Sequence, residues 1–218
     1  MDINEKFVIT ISREIGSGGR TIGRKLAEKL NVRYCDNGVI EALMQRFNLT
    51  SAEIEKLKAA KKTWMSDFIQ KLTPVPKASQ LLDDDAILSR DFLSDVTSED
   101  IFRAEEEIIR SLVEESSCVF AGRAGFFVLK EHPKKLDFFI TASKDKRIAR
   151  VMVKQNLTRE QAGDLIDKID KSRENYVQRY AGVSRYDARN YDLVLKIDTI
   201  SEDQAVDLIL DFIKRTGA

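Results

Sequence analysis

Four glycines, Gly16, Gly18, Gly19 and Gly23, fall within eight residues directly behind the run Phe7-Val8-Ile9-Thr10-Ile11-Ser12. The run is short, β-branched and nearly all apolar, the pattern of a strand buried on both faces, which asks for helices on both sides of a parallel sheet. The whole chain of 218 residues has only ten glycines, so their concentration here needs a local cause. A strand, a loop tolerant of φ > 0 and a helix start place successive backbone N–H groups around one point, where the helix dipole also favours negative charge. The feature therefore points to folds in which a sheet edge presents an anion cradle.

The remainder of the chain fits that restriction. Cys118-Val119-Phe120-Ala121, Leu136-Asp137-Phe138-Phe139-Ile140 and Leu193-Val194-Leu195-Lys196-Ile197 read as further strands, and Tyr34-Cys35 as a shorter one. Helical patterns lie between them, at Thr21 to Leu30, Glu99 to Glu115, Lys144 to Gln155, Arg159 to Tyr180 and Glu202 to Lys214. Such alternation predicts an α/β fold of three layers around a central parallel sheet of about five strands. Thr50-x-x-Glu53, Thr158-x-x-Gln161 and Ser201-x-x-Gln204 have capping-box spacing and mark three helix starts. In the last helix, Ala205, Leu208, Ile209, Phe212 and Ile213 are expected to cover the sheet. Leu49 to Thr97 differs: it has no strand-like run, it contains Pro74 and Pro76, and Asp83-Asp84-Asp85 interrupts it. It is predicted to be a helical insertion or lid, residues 49–97 of a single domain spanning 1–218, with Trp64, Phe68 and Leu72 as a packing stripe.

Charge narrows the function classes. Lys+Arg and Asp+Glu number 36 each, so no global field draws the chain to nucleic acid or to a membrane surface, and any anion it binds is held by a local site. No stretch approaches the ~18 consecutive apolar residues of a membrane span. Met1-Asp2-Ile3-Asn4-Glu5 lacks the layout of a signal peptide, which makes the cytoplasm the expected location. Cys35 and Cys118 have no disulfide-framework or zinc spacing and read as small hydrophobes, and His132, followed by Pro133, has a loop context that argues against metal or triad chemistry.

The phosphate-loop template Gly-x-x-x-x-Gly-Lys-Ser/Thr maps onto Glu14-Ile15-Gly16-Ser17-Gly18-Gly19-Arg20-Thr21, with Glu14 in place of the first glycine and Arg20 in place of lysine. On this reading the backbone of Gly16, Ser17, Gly18 and Gly19 cradles phosphate, Arg20 supplies the cation, and the Thr21 hydroxyl sits where magnesium is coordinated. The bland alternative is a tight strand-to-helix turn. A dinucleotide fingerprint is disfavoured, because Thr21 stands where its third glycine is required.

These residues, with others further along, resemble the cytidylate kinases, and more closely a group of cytidylate kinase-like proteins. Ile11-Ser12-Arg13-Glu14-Ile15-Gly16-Ser17-Gly18-Gly19-Arg20 is similar to the opening of that group, and Asp36-Asn37-Gly38-Val39-Ile40 to the segment that seats the monophosphate. Ala121-Gly122-Arg123 resembles the family's Gly-Arg-Asp, Thr141 to Arg150 its phosphate-facing arginine segment, and Asp170-Lys171-Ser172-Arg173 its Asp-x-x-Arg. The motifs occur in the family's order, each at a strand end or on the helix that follows. Three positions depart: Ala42 and Ile166 stand where the family has arginine, and Ala124 where it has aspartate.

The resemblance implies a P-loop NTPase-type kinase that uses ATP and magnesium to phosphorylate a nucleoside monophosphate, CMP or dCMP first. It implies transfer-site roles for Arg20, Arg123, Arg147 and Arg150, and acceptor-side roles for Asp36, Gly38, Arg123, Asp170 and Arg173. Each residue also has a plainer reading. Arg147 and Arg150 fit a solvated helix face, Arg123 a salt bridge, Asp36 an Asx-turn, and Asp170 an ion pair with Arg173. A regulatory nucleotide-binding protein on the same fold, or a kinase for another small acceptor, remain the rival functions.

Overall fold

The structure is a computed structural model, and it describes residues 5–36, 38–54, 97–122 and 124–216. The segment 55–96, with the Trp64, Phe68 and Leu72 stripe and the Asp83 to Asp85 run, lies outside the described residues, as do Asn37 and Arg123. In chain order the elements are β1 Val8–Arg13, α1 Gly19–Leu30, β2 Arg33–Cys35, α2 Gly38–Phe47, α3 Ser98–Glu115, β3 Cys118–Ala121, α4 Gly125–Val128, β4 Lys135–Thr141, α5 Lys144–Gln155, α6 Arg159–Ala181, β5 Leu193–Lys196 and α7 Glu202–Thr216. They divide between two compact units, Met1–Val39 with Glu106–Ala218, and Ile40–Glu105.

In the first unit the apolar run behind the glycines forms β1, central in a five-stranded parallel sheet of order β2-β3-β1-β4-β5. Ile11 pairs with Ala121 on one side and Phe138 on the other. A strand with neighbours on both edges and helices on both faces has no exposed side, and accordingly even Thr10 and Ser12 of β1 are buried. Ile9, Ile11, Ile22, Leu26, Phe138 and Ile140 belong to the main core, into which α7 sends Ala205, Val206, Ile209 and Ile213. The stripe expected for α7 is rotated: Leu208 is 48% exposed and Val206 is buried instead. At about 100° per residue, Leu208 lies about 110° from the centre of the face made by 205, 206, 209 and 213, beyond the reach of the sheet.

A smaller core joins α5 to α6. Ile148, Val151, Ala162 and Ile166 are buried together, with Ile15 of the glycine loop packed against them. Asn156, with φ 53°, ends α5 in a left-handed turn, and the Thr158–Gln161 capping box starts α6. Ile166 thus fills core volume between the two helices.

In the second unit Leu43, Leu49, Ile54 and Ile101 are buried. Thr50 and Glu53 form the expected cap, and Thr97 forms a similar one with Asp100, whose carboxylate accepts the Thr97 N–H at 2.8 Å. Among the described residues no helix is long and apolar enough to cross a membrane. Cys35 and Cys118, on the neighbouring strands β2 and β3, are free and buried.

Candidate functional site

The chain leaves β1 at Arg13 and turns sharply, with the Ser17 N–H and Oγ both donating to the Glu14 carbonyl at 3.3 and 2.8 Å. Gly16 and Gly18 have φ of 79° and 87°, a region that costs any other residue strain. Space is refused there too: a Cβ on Gly16 would lie 2.7 Å from the Arg147 carbonyl, and one on Gly18 2.6 Å from Arg150 Nη1. Gly18, the N-cap of α1, has no side chain to cap the helix, the Gly19 N–H reaches Ser17 Oγ only at 3.4 Å, and the first turn holds no acidic residue. The N–H groups of that turn, which have no intrahelical acceptor, therefore keep their affinity for an anion.

A cavity of about 700 Å³ opens over this turn, entirely within the first unit. Its wall includes Gly16, Gly18, Gly19, Arg20 and Thr21, and six basic side chains: Arg13, Arg20, Lys146, Arg150, Lys154 and Arg173. Glu14 and Glu202 are the acidic ones, so the lining suits a multiply charged anion. Thr21 brings a hydroxyl oxygen of the kind magnesium accepts beside phosphate oxygens and water. Among the described residues no cluster of three or more His, Cys, Asp or Glu could hold a metal by itself. Ser17 faces inward and is buried.

Beneath the loop lies an ion network centred on Asp170, whose side chain is 9% exposed. Oδ2 meets Arg147 Nη1 at 2.5 Å, while Oδ1 accepts the Ile15 N–H at 3.2 Å and faces Arg185 Nη1 at 3.7 Å and Arg173 Nη1 at 3.9 Å. Arg147 also pairs with Glu14 at 3.4 Å, and the Thr141 hydroxyl donates to the same carboxylate. The arginines of the network grip the loop and strand end by their carbonyls. Arg150 donates to Ser17 O at 2.7 Å and pairs with Glu202 at 3.2 Å; Arg173 and Arg185 both donate to Arg13 O.

A second carboxylate, Asp36, is buried at the end of β2 and takes two guanidiniums, Arg20 through Nε and Arg13 through Nη2 at 3.2 Å. Tyr34 donates its hydroxyl to Arg20 O at 3.2 Å. Burial first, and then the Asp36 charge, push that phenol up to about 12, so it stays a donor.

Of the residues singled out from sequence, the structure gathers Gly16, Gly18, Gly19, Arg20, Thr21, Arg150 and Arg173 at one cavity. It puts Arg147 and Asp170 in the buried network and Asp36 behind the two arginines, and it begins α2 at Gly38. The structure adds Arg13 and Arg185. Arg13 carries a signal in sequence, since it ends a buried strand at the edge where open α/β sheets bind ligands. Arg185 carries none, lying in a loop outside every motif.

The model of the cytidylate kinase-like family matches residues 8–199. A cytidylate kinase of Desulforamulus reducens is 32% identical over 164 residues, covering 68% of this chain and 70% of that protein. One of Methanocorpusculum labreanum is 24% identical over 90% of both chains. Among solved structures, an uncharacterised protein of Eubacterium ventriosum aligns over 95% of this chain and 98% of its own, with TM-score 0.65 and 23% identity. The shikimate kinase of Bacteroides thetaiotaomicron aligns over the same shares with TM-score 0.51 and 12% identity, a likeness of fold. With a family match running from the first residue of β1 to the turn after β5, and the glycine loop folded as a cradle, the chain belongs to the cytidylate kinase-like family.

Proposed function

We propose that the protein transfers the γ-phosphoryl group of ATP to a nucleoside monophosphate, CMP or dCMP first. The observation that carries this reading is the uncapped N-terminus of α1 opening into a cavity lined by six basic side chains. Magnesium bound with ATP would neutralise part of the charge on its phosphates. The backbone N–H groups of Gly18 to Thr21 would hold the donor phosphates, with Arg20 beside them, and the Thr21 hydroxyl would join the magnesium shell. Arg150 and Arg173 line the same cavity, where each would exchange part of its present bonding, a main-chain carbonyl and a carboxylate, for a phosphate oxygen. Arg147 and Asp170 act one step back, fixing Ile15 and hence the path of the loop. Asp36 orients Arg20, and Gly38 starts α2 two residues later, on the acceptor side in the family's arrangement. Transfer of this kind needs positioning and charge neutralisation, with no covalent protein intermediate.

A different acceptor is the second reading, favoured by Ile166. It is fully buried between α5 and α6, where a cytidylate kinase carries arginine, so that contact with a monophosphate is missing. Ala124, at the N-cap of α4, likewise brings no carboxylate. Coupled ADP release from Mg-ATP with a panel of nucleoside monophosphates and a no-acceptor control tests both readings. CMP- or dCMP-dependent turnover supports the first, and turnover with another monophosphate supports the second. Mg-ATP binding without acceptor-dependent turnover refutes transfer and leaves a nucleotide-binding protein.

A further inference from the structure

We propose that Arg13 is a catalytic residue of this site, the cation that holds the transferring phosphoryl group from below, between the glycine loop and the acceptor side of the sheet. The inference rests on the phosphotransfer reading above and adds a residue to it. Arg13 is the last residue of the central strand, and its carbonyl is held by Arg173 and Arg185, so the root of its side chain is fixed. From there the side chain follows a path kept clear by two glycines. A Cβ on Gly19 would lie 2.7 Å from Arg13 Cβ and 3.2 Å from Cγ, and one on Gly122 would lie 2.0 Å from Nη1. The stem therefore passes under the first residue of α1, and the guanidinium ends over the turn after β3, the strand next to β1 on the side of β2.

Two side-chain-less positions flanking one arginine serve the arginine. A residue at Gly19 would close the space under the loop, and one at Gly122 would displace the guanidinium outright. Asp36 accepts from Nη2 at 3.2 Å, which sets the plane of the fork and offsets the cost of keeping the charge 13% exposed. A guanidinium has five N–H donors in a fixed plane, so it can satisfy a carboxylate along one edge and phosphate oxygens along another. Arg13 also lines the cavity. Arg20 meets the same carboxylate from the second residue of α1, but its side chain is 59% exposed and approaches from the solvent side. The two cations are thus arranged one outside and one beneath the same anion path. In a loose phosphoryl-transfer transition state, charge is spread over the equatorial oxygens, and a cation fixed beside them lowers the barrier without reorganising.

The test uses the full chain and three proteins: wild type, Arg13→Met and Arg13→Lys. Calorimetry reads binding of inorganic tripolyphosphate with magnesium, and ADP release reads turnover with the best acceptor. The expected result is at least about tenfold weaker tripolyphosphate binding in Arg13→Met and a fall in kcat on the order of 10²–10³, with acceptor KM little changed. Arg13→Lys keeps the charge opposite Asp36 and so keeps the fold, loses the fork, and is expected to fall between the two. A purely structural arginine would lower the melting temperature and leave tripolyphosphate affinity and kcat alone. Wild-type binding and turnover in both variants overturns the role of Arg13 while leaving the phosphotransfer reading standing. Failure of the wild type to bind either Mg-ATP or tripolyphosphate overturns both.

Discussion

Replacing Asp170 with alanine removes the carboxylate that ties α6 to the glycine loop and to two buried guanidiniums. Arg147 would keep Glu14 at 3.4 Å, and Arg185 would keep the Arg13 carbonyl, but Arg185 Nη1 and Arg147 Nε already lack hydrogen-bond partners. Breaking a buried ion pair from one side costs about 3–5 kcal/mol, because the surviving charge stays desolvated. The partners that remain put the expected loss for Asp170→Ala near the lower end, about 3 kcal/mol. At roughly 2–4 °C per kcal/mol for a chain of this size, the melting temperature should fall by roughly 6–12 °C. Asp170→Asn keeps an acceptor for the Ile15 N–H but loses the charge and turns the other oxygen into an amide donor facing a guanidinium, so it too should be destabilising, by about 1–3 kcal/mol. Urea unfolding of the three proteins, with unchanged slope in denaturant, gives the comparison. Asp170→Ala within about 0.5 kcal/mol of wild type would refute the tether. A carboxylate that instead read a cytosine amine would reveal itself as altered discrimination between CMP and UMP in Asp170→Asn, at unchanged stability.

Arg20→Ala should lower turnover on the order of 10²–10³, with Arg20→Lys between it and wild type; wild-type turnover in a folded Arg20→Ala would remove Arg20 from the phosphate clamp. Gly18→Ala meets a left-handed φ of 87° and sets a methyl 2.6 Å from Arg150 Nη1 and 2.7 Å from Glu202 Oε1. It should therefore cost at least about 1 kcal/mol and weaken Mg-ATP binding in calorimetry, and an unchanged melting curve and Kd would contradict the loop geometry. Asp198 accepts the Ser143 N–H at 2.7 Å ahead of α5 and faces Lys196 at 3.2 Å, and the backbone hydrogen bond holds its carboxyl below the ordinary value. Its contribution to stability is present above the unfolded value of about 3.9 and is lost as pH falls through the lower folded value. Asp198→Asn should thus flatten the acid side of the stability profile in urea titrations from pH 3 to 7; a profile that keeps the wild-type slope would count against this.

The inner strands β1, β3 and β4 are legible in sequence because each is a short, mostly apolar run, the pattern a parallel sheet buried on both faces demands, whereas the edge strands β2 and β5 are partly exposed and carry a weaker signal. The helices with boxed starts, such as α6 and α7, are legible for a local reason too: Thr158–Gln161 and Ser201–Gln204 pair over three residues. α2 escapes reading because Asp36-Asn37-Gly38 resembles a turn and no hydroxyl precedes Val39. The same division runs through the site. Gly16 to Thr21 are adjacent in sequence and come together through local geometry, whereas Ile15 meets Asp170 across 155 positions and Arg185 meets Arg13 across 172. Helical spacing puts Arg147 and Arg150 on one face, yet only packing against α6 decides that Arg147 is buried while Arg150 reaches the cavity.

Where the γ-phosphoryl group goes separates transfer from binding alone. With γ-³²P-labelled Mg-ATP and CMP or dCMP, label should appear in the nucleoside diphosphate, with little inorganic phosphate. Label remaining in ATP, or released only as inorganic phosphate at a rate that no nucleoside monophosphate changes, would contradict transfer.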